Sequence, residues 1–73
     1  MRLLKVKFTD GRTLRLEVQS EDARFVLGYE CDSEFGRIER EGAQQQHLIE
    51  RACIAETTEY RENRKYGTLE KVK

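Results

Sequence analysis

The sequence predicts a small, mainly β protein: an antiparallel sheet or a partly open SH3-like barrel of about five strands. Three observations predict it. Leu4, Val6 and Phe8 alternate with Lys5 and Lys7, and Leu14, Leu16 and Val18 alternate with Arg15 and Glu17, the period-two pattern of half-buried strands. Thr9-Asp10-Gly11 joins these two segments as a turn. Residues 25–31 then continue the same alternation.

The first hairpin has a register that the sequence decides. A two-residue Asp10-Gly11 loop would set Val6 opposite Arg15 and Leu4 opposite Glu17. Directly opposed residues share a face of the sheet, so every apolar residue would then meet a polar one. A three-residue loop over Thr9–Gly11 sets Val6 opposite Leu14 and Leu4 opposite Leu16. That loop is a type I turn followed by a G1 bulge, with Gly11 in the left-handed region.

In the third segment Phe25, Leu27, Tyr29 and Cys31 share one face and Arg24, Val26, Gly28 and Glu30 the other. The aromatic face is expected to meet the core. Asp32-Ser33-Glu34 reads as a turn, Arg37–Arg40 as a short fourth strand with Ile38 inward, and Glu41-Gly42 as a second hairpin turn.

Residues 43–58 support two readings. Good helix formers dominate them, and Leu48, Ile49, Ala52 and Cys53 make a helical stripe. This gives an α+β alternative in which one helix over about 44–56 covers the sheet. The preferred reading is a strand over Gln46–Glu50, a single helical turn near Arg51–Cys53, and a last strand from Glu56 to Arg61. Short apolar runs do not separate the two by periodicity alone. The whole of 1–73 reads as one small domain, with 70–73 as a frayed tail.

Composition narrows function. Fourteen basic and fourteen acidic residues cancel, which argues against strong nonspecific polyanion binding. The cancellation hides segregation: residues 1–18 carry +3, 19–59 carry −6 and 60–73 carry +3. Basic ends brought side by side would create a basic face. Leu, Ile, Val and Phe number seventeen of 73 residues, a lean core for a domain that is already small. Self-association or a partner protein is the expected supplement.

Two cysteines, Cys31 and Cys53, and one histidine, His47, are the only soft metal ligands. Their spacing lacks the paired cysteines of a structural zinc site, so no cofactor or metal is expected. There is no nucleophile elbow or phosphate-cradling glycine loop, and His47 is the only histidine base for either thiol. The chain is therefore expected not to be an enzyme. The opening residues have an apolar run of only two, and no apolar stretch approaches a membrane span. A cytoplasmic location with reduced thiols is expected, and no membrane partner.

The functional expectation is a noncatalytic protein–protein interaction or accessory module. Leu3 and Phe35 are candidate exposed anchors as well as candidate core residues. The alternative is a weak nucleic-acid-binding domain. Tyr60-Arg61-Glu62-Asn63-Arg64-Lys65-Tyr66 interleaves cations with stacking rings, the composition used on single strands and phosphates. Candidate contacts to nucleic acid or another anionic partner are Tyr60, Arg61, Arg64, Lys65 and Tyr66, joined by Lys5, Lys7 and Arg15 of the first hairpin.

Overall fold

Alternation in the first two segments produces the hairpin that the register argument requires. A computed structural model describes residues 2–63 and 68–72. Strand β1 (Arg2–Phe8) pairs antiparallel with β2 (Thr13–Glu21), Val6 opposite Leu14 and Leu4 opposite Leu16. The Gly11 N–H donates to the Phe8 carbonyl at 3.0 Å, and Gly11 has φ +93°. A β-branched residue there would be strained by its own Cβ.

The remaining strands are β3 (Phe25–Cys31), the two-residue β4 (Glu39–Arg40) and β5 (Ala43–Gln44), β6 (Gln46–Glu50), β7 (Ile54–Asn63) and β8 (Thr68–Val72). A 3₁₀ turn over Arg51–Cys53 links β6 to β7. Six strands form one antiparallel sheet in the order β6-β3-β2-β1-β7-β8, while β4 and β5 form a small separate hairpin. Glu41 and Gly42, with φ +54° and +80°, make its tight turn, the positive-φ pair of a type I′ connection.

No helix covers 44–56. Ile49 is buried opposite Val26, but Leu48 is 65% exposed and Ala52 and Cys53 lie on the surface. The helical stripe is thus never buried as a stripe. Pairing with β3 outweighs a propensity difference of a few tenths of a kcal/mol per residue. The sheet is also not closed into a barrel: β6 and β8 remain its two edges. Of the tail 70–73 expected to fray, Glu70–Val72 pair with Arg61–Glu59 as part of β8, and Lys73 lies outside the described residues.

The main core lies on one face of the sheet. Leu4, Val6, Leu16, Val26 and Ile49 are buried there, with Phe8, Leu14, Val18 and Ile54 packed around them. Val6, Leu16 and Val26 are fully inaccessible, which a flat single layer could not achieve. A single six-stranded sheet buries side chains this fully by curving over its own apolar face, in line with the natural twist of β-sheets. Two bulges assist. Gln19 is the extra residue between Val18 and Ser20 opposite β3, and Ala55 is extra between β7 and the Lys7/Phe8 step. Bulges bend a strand and increase its local twist.

The core face of β3 is the reverse of the expected one. Val18 pairs with Gly28 and Leu16 with Glu30, so Val26, Gly28 and Glu30 share the face of Leu16. Phe25, Leu27 and Tyr29 lie half-buried on the other side. Gly28 permits this packing: a Cβ there would come 2.7 Å from the Glu17 carbonyl oxygen. The opposite face has its own minor cover. Leu3 and Cys31, each 5% exposed, lie beneath the 32–36 loop. Neither Leu3 nor the half-buried Phe35 is a free anchor.

Candidate functional site

The 32–36 loop is fixed by Asp32. Its carboxylate accepts the N–H groups of Glu34 (2.8 Å) and Gly36 (2.9 Å), and its own N–H donates to the Gly36 carbonyl at 2.9 Å. Phe35 is held at φ +61° with its ring 5.2 Å from that of Tyr60. Arg37 secures the loop's far end. Its Nε donates to Glu17 Oε2 at 2.6 Å, its Nη2 to Glu17 Oε1, and its Nη1 to Gln44 at 2.7 Å. The guanidinium lies 4.4 Å above the Tyr29 ring. The Arg37 hydrogen bonds hold the Glu17 carboxyl below its ordinary value.

Beside this loop the same face becomes cationic. Lys5 stands opposite Arg15 on β2 and Thr58 on β7; Lys7 stands opposite Thr13 and Glu56. Tyr60 is opposite Leu3 on one side and Lys71 of β8 on the other. Lys5, Lys7, Gly11, Thr13, Glu56, Thr58, Tyr60 and Lys71 line a depression of about 480 Å³. Among the described residues, no carboxylate lies within ion-pair distance of Lys5, Lys7, Arg15 or Lys71. Glu56 is the one acid in the lining. Like charges placed directly opposite, as Lys5 and Arg15 are, disfavour the sheet slightly, and an external anion would relieve that repulsion.

Most other described cations are paired within the chain. Arg2 pairs with Glu21 and Glu59, Arg51 with Glu21 at 2.8 Å, Arg12 with Asp10 at 2.7 Å and Arg61 with Glu70 at 3.8 Å. The expected contact set therefore divides. Lys5, Lys7, Arg15 and Tyr60 share one face. Arg61, one residue from Tyr60 on β7, alternates to the other face, where it meets Glu70. Arg64, Lys65 and Tyr66 lie outside the described residues. Lys71 lies in the segment expected to fray, and Thr68–Val72 carries no period-two alternation that marks it as a strand.

The nucleophile candidates also separate. The His47 Nε2 lies 2.9 Å from Glu30 Oε1 on the core face, whereas Cys31 faces the other way, opposite Arg15. The sheet itself stands between this thiol and the only imidazole. Burial pushes the Cys31 thiol up, which favours the unreactive protonated form. Both cysteines are free, and Cys53 is exposed. Among the described residues, no three His, Cys, Asp or Glu side chains converge as a metal site, and no helix is long and apolar enough to cross a membrane.

Comparison of the chain with protein-family models, with curated proteins and with solved structures finds no match.

Proposed function

We propose that this chain is a noncatalytic interaction module whose cationic face docks on an acidic surface of a partner protein. The observation that carries the reading is the set of four cations, Lys5, Lys7, Arg15 and Lys71, gathered on one face with no carboxylate at ion-pair distance among the described residues. Rim charges of this kind steer encounter and select partners by complementarity. The neutral total charge supports a local, directional contact over general attraction to polyanions.

A second reading is weak nucleic-acid binding through the same face. Tyr60 favours it, since its ring borders the cationic depression and could stack a base. Its other neighbour, Phe35, already packs against that ring.

Capture from an extract of the source cells, with and without nuclease, tests both. Wild-type protein is expected to retain a protein that survives nuclease, and Lys5→Glu with Lys7→Glu is expected to lose it. Retention that nuclease abolishes would favour the second reading. Equal capture by wild type and variant would overturn both.

A further inference from the structure

Strand β6 is an open edge whose outward groups can be identified. Between β3 and β6 the Glu30 N–H donates to the Gln45 carbonyl at 2.6 Å, and the Arg51 N–H donates to the Arg24 carbonyl at 2.8 Å. In the same register Gly28 faces His47 and Val26 faces Ile49. Antiparallel ladders alternate between hydrogen-bonded and non-hydrogen-bonded pairs. The backbone groups of His47 and Ile49, with the Gln45 carbonyl and the Arg51 N–H, thus point towards β3, while the Gln45 N–H donates to the Ile38 carbonyl at 3.3 Å. Those of Gln46, Leu48 and Glu50 point away from the sheet, where no other strand among the described residues pairs with them.

This edge lacks the usual protection. It has no lysine, proline or bulge, the devices that discourage strand addition. The opposite edge, β8, carries Lys71. Leu48 is the most exposed large apolar residue described, at 65%, and it stands opposite half-buried Leu27.

We propose that β6 is the interface of a two-fold homodimer in which Leu48 pairs with Leu48 of the partner subunit, making one continuous sheet. Symmetry permits few registers, because a two-fold axis normal to the sheet must place one residue opposite its own copy. Centring on His47 would oppose two histidines and set Leu48 against the partner's Gln46. Centring on Ile49 would set Leu48 against the partner's Glu50. Centring on Leu48 joins the two leucines and sets Gln46 opposite the partner's Glu50, amide against carboxylate. It also makes every outward-pointing residue a hydrogen-bonded pair, giving about six backbone hydrogen bonds. The chain's zero net charge adds no long-range repulsion between copies. This contact uses none of the four cations, Lys5, Lys7, Arg15 and Lys71.

Sedimentation equilibrium of the full chain, from about 10 µM to about 1 mM, tests the proposal through mass action. The mass should rise from 8.6 kDa to twice that value, with little dependence on salt. Amide exchange at Gln46, Leu48 and Glu50 should slow as concentration rises. Leu48→Lys should remain monomeric with an unchanged circular dichroism spectrum. Gln46→Glu should weaken the dimer about fivefold or more, because two carboxylate pairs then oppose. Adding Glu50→Lys should restore it. A wild-type monomer throughout, growth beyond dimer, association that salt abolishes, or failure of Glu50→Lys to restore Gln46→Glu would each overturn the proposal.

Discussion

Replacing Arg37 with methionine removes the guanidinium that ties the 32–38 segment to β2 while keeping an unbranched side chain over Tyr29. Glu17 is left with its side chain 14% exposed and its bidentate partner gone. Hydrogen bonds to charged groups contribute about 1.5–3 kcal/mol, and the cation–π contact adds about 0.5–1 kcal/mol. Arg37 is itself 36% exposed, so solvent screening reduces both. A net loss of about 2 kcal/mol follows, or about 8–16 °C in Tm for a domain of this size. The effect should depend on pH. The folded-state pKa of Glu17 is lowered from 4.5, so the pair contributes fully above that value. Its contribution is lost as pH falls through the lower, folded-state value. Urea unfolding of wild type and variant at about pH 7, 5, 4 and 3 should show a gap that narrows in acid. A gap below about 0.5 kcal/mol at neutral pH, or one that stays constant into acid, would refute the reasoning.

Four further substitutions test the fold. Gly11→Val should cost about 1–3 kcal/mol, since valine must then occupy φ +93°; an unchanged Tm would remove the G1 bulge. Gly28→Ala should destabilise by about 1–3 kcal/mol, because its Cβ would meet the Glu17 carbonyl oxygen at 2.7 Å; chemical denaturation reads this directly. Val26→Ala should cost about 2 kcal/mol and Leu27→Ala less, although leucine loses more carbon, because Val26 is fully buried and Leu27 is not. The reverse order in thermal melts would return the core of β3 to its aromatic face.

Local pattern made the first hairpin legible down to its register, since the wrong loop length misplaces every apolar residue. The break at Glu41-Gly42, the Gln46–Glu50 strand and the turn at 51–53 were legible for a similar reason: short spacing leaves few other ways to continue a sheet. The face of β3 was not. Phe25, Leu27 and Tyr29 are the larger side chains, and size suggested the core. What decides the face is the pairing of Leu16 with Glu30 and Val18 with Gly28, a long-range register that no local pattern carries. The same limit applies to the candidate site. Sequence adjacency grouped Arg61 with Tyr60, but strand alternation sends neighbours to opposite faces. The pairing of β1 with β7 and β7 with β8 instead brings Tyr60 to Lys5 and Lys71. The partition of charge along the chain was the better guide, because Tyr60 pairs with Leu3 of the first hairpin and β8 lies one strand beyond it.

The reading of that face as a dock for an acidic protein surface is tested most directly by titrating a labelled oligoglutamate peptide and a labelled oligothymidylate against wild type and the Lys5→Glu, Lys7→Glu variant. Anisotropy at about 50 mM and about 500 mM salt supplies the contrast. The peptide should bind wild type at low salt, weaken at high salt and fail to bind the variant, with the oligonucleotide no tighter than the peptide. Equal binding by wild type and variant, or no binding of either probe at low salt, would contradict the account.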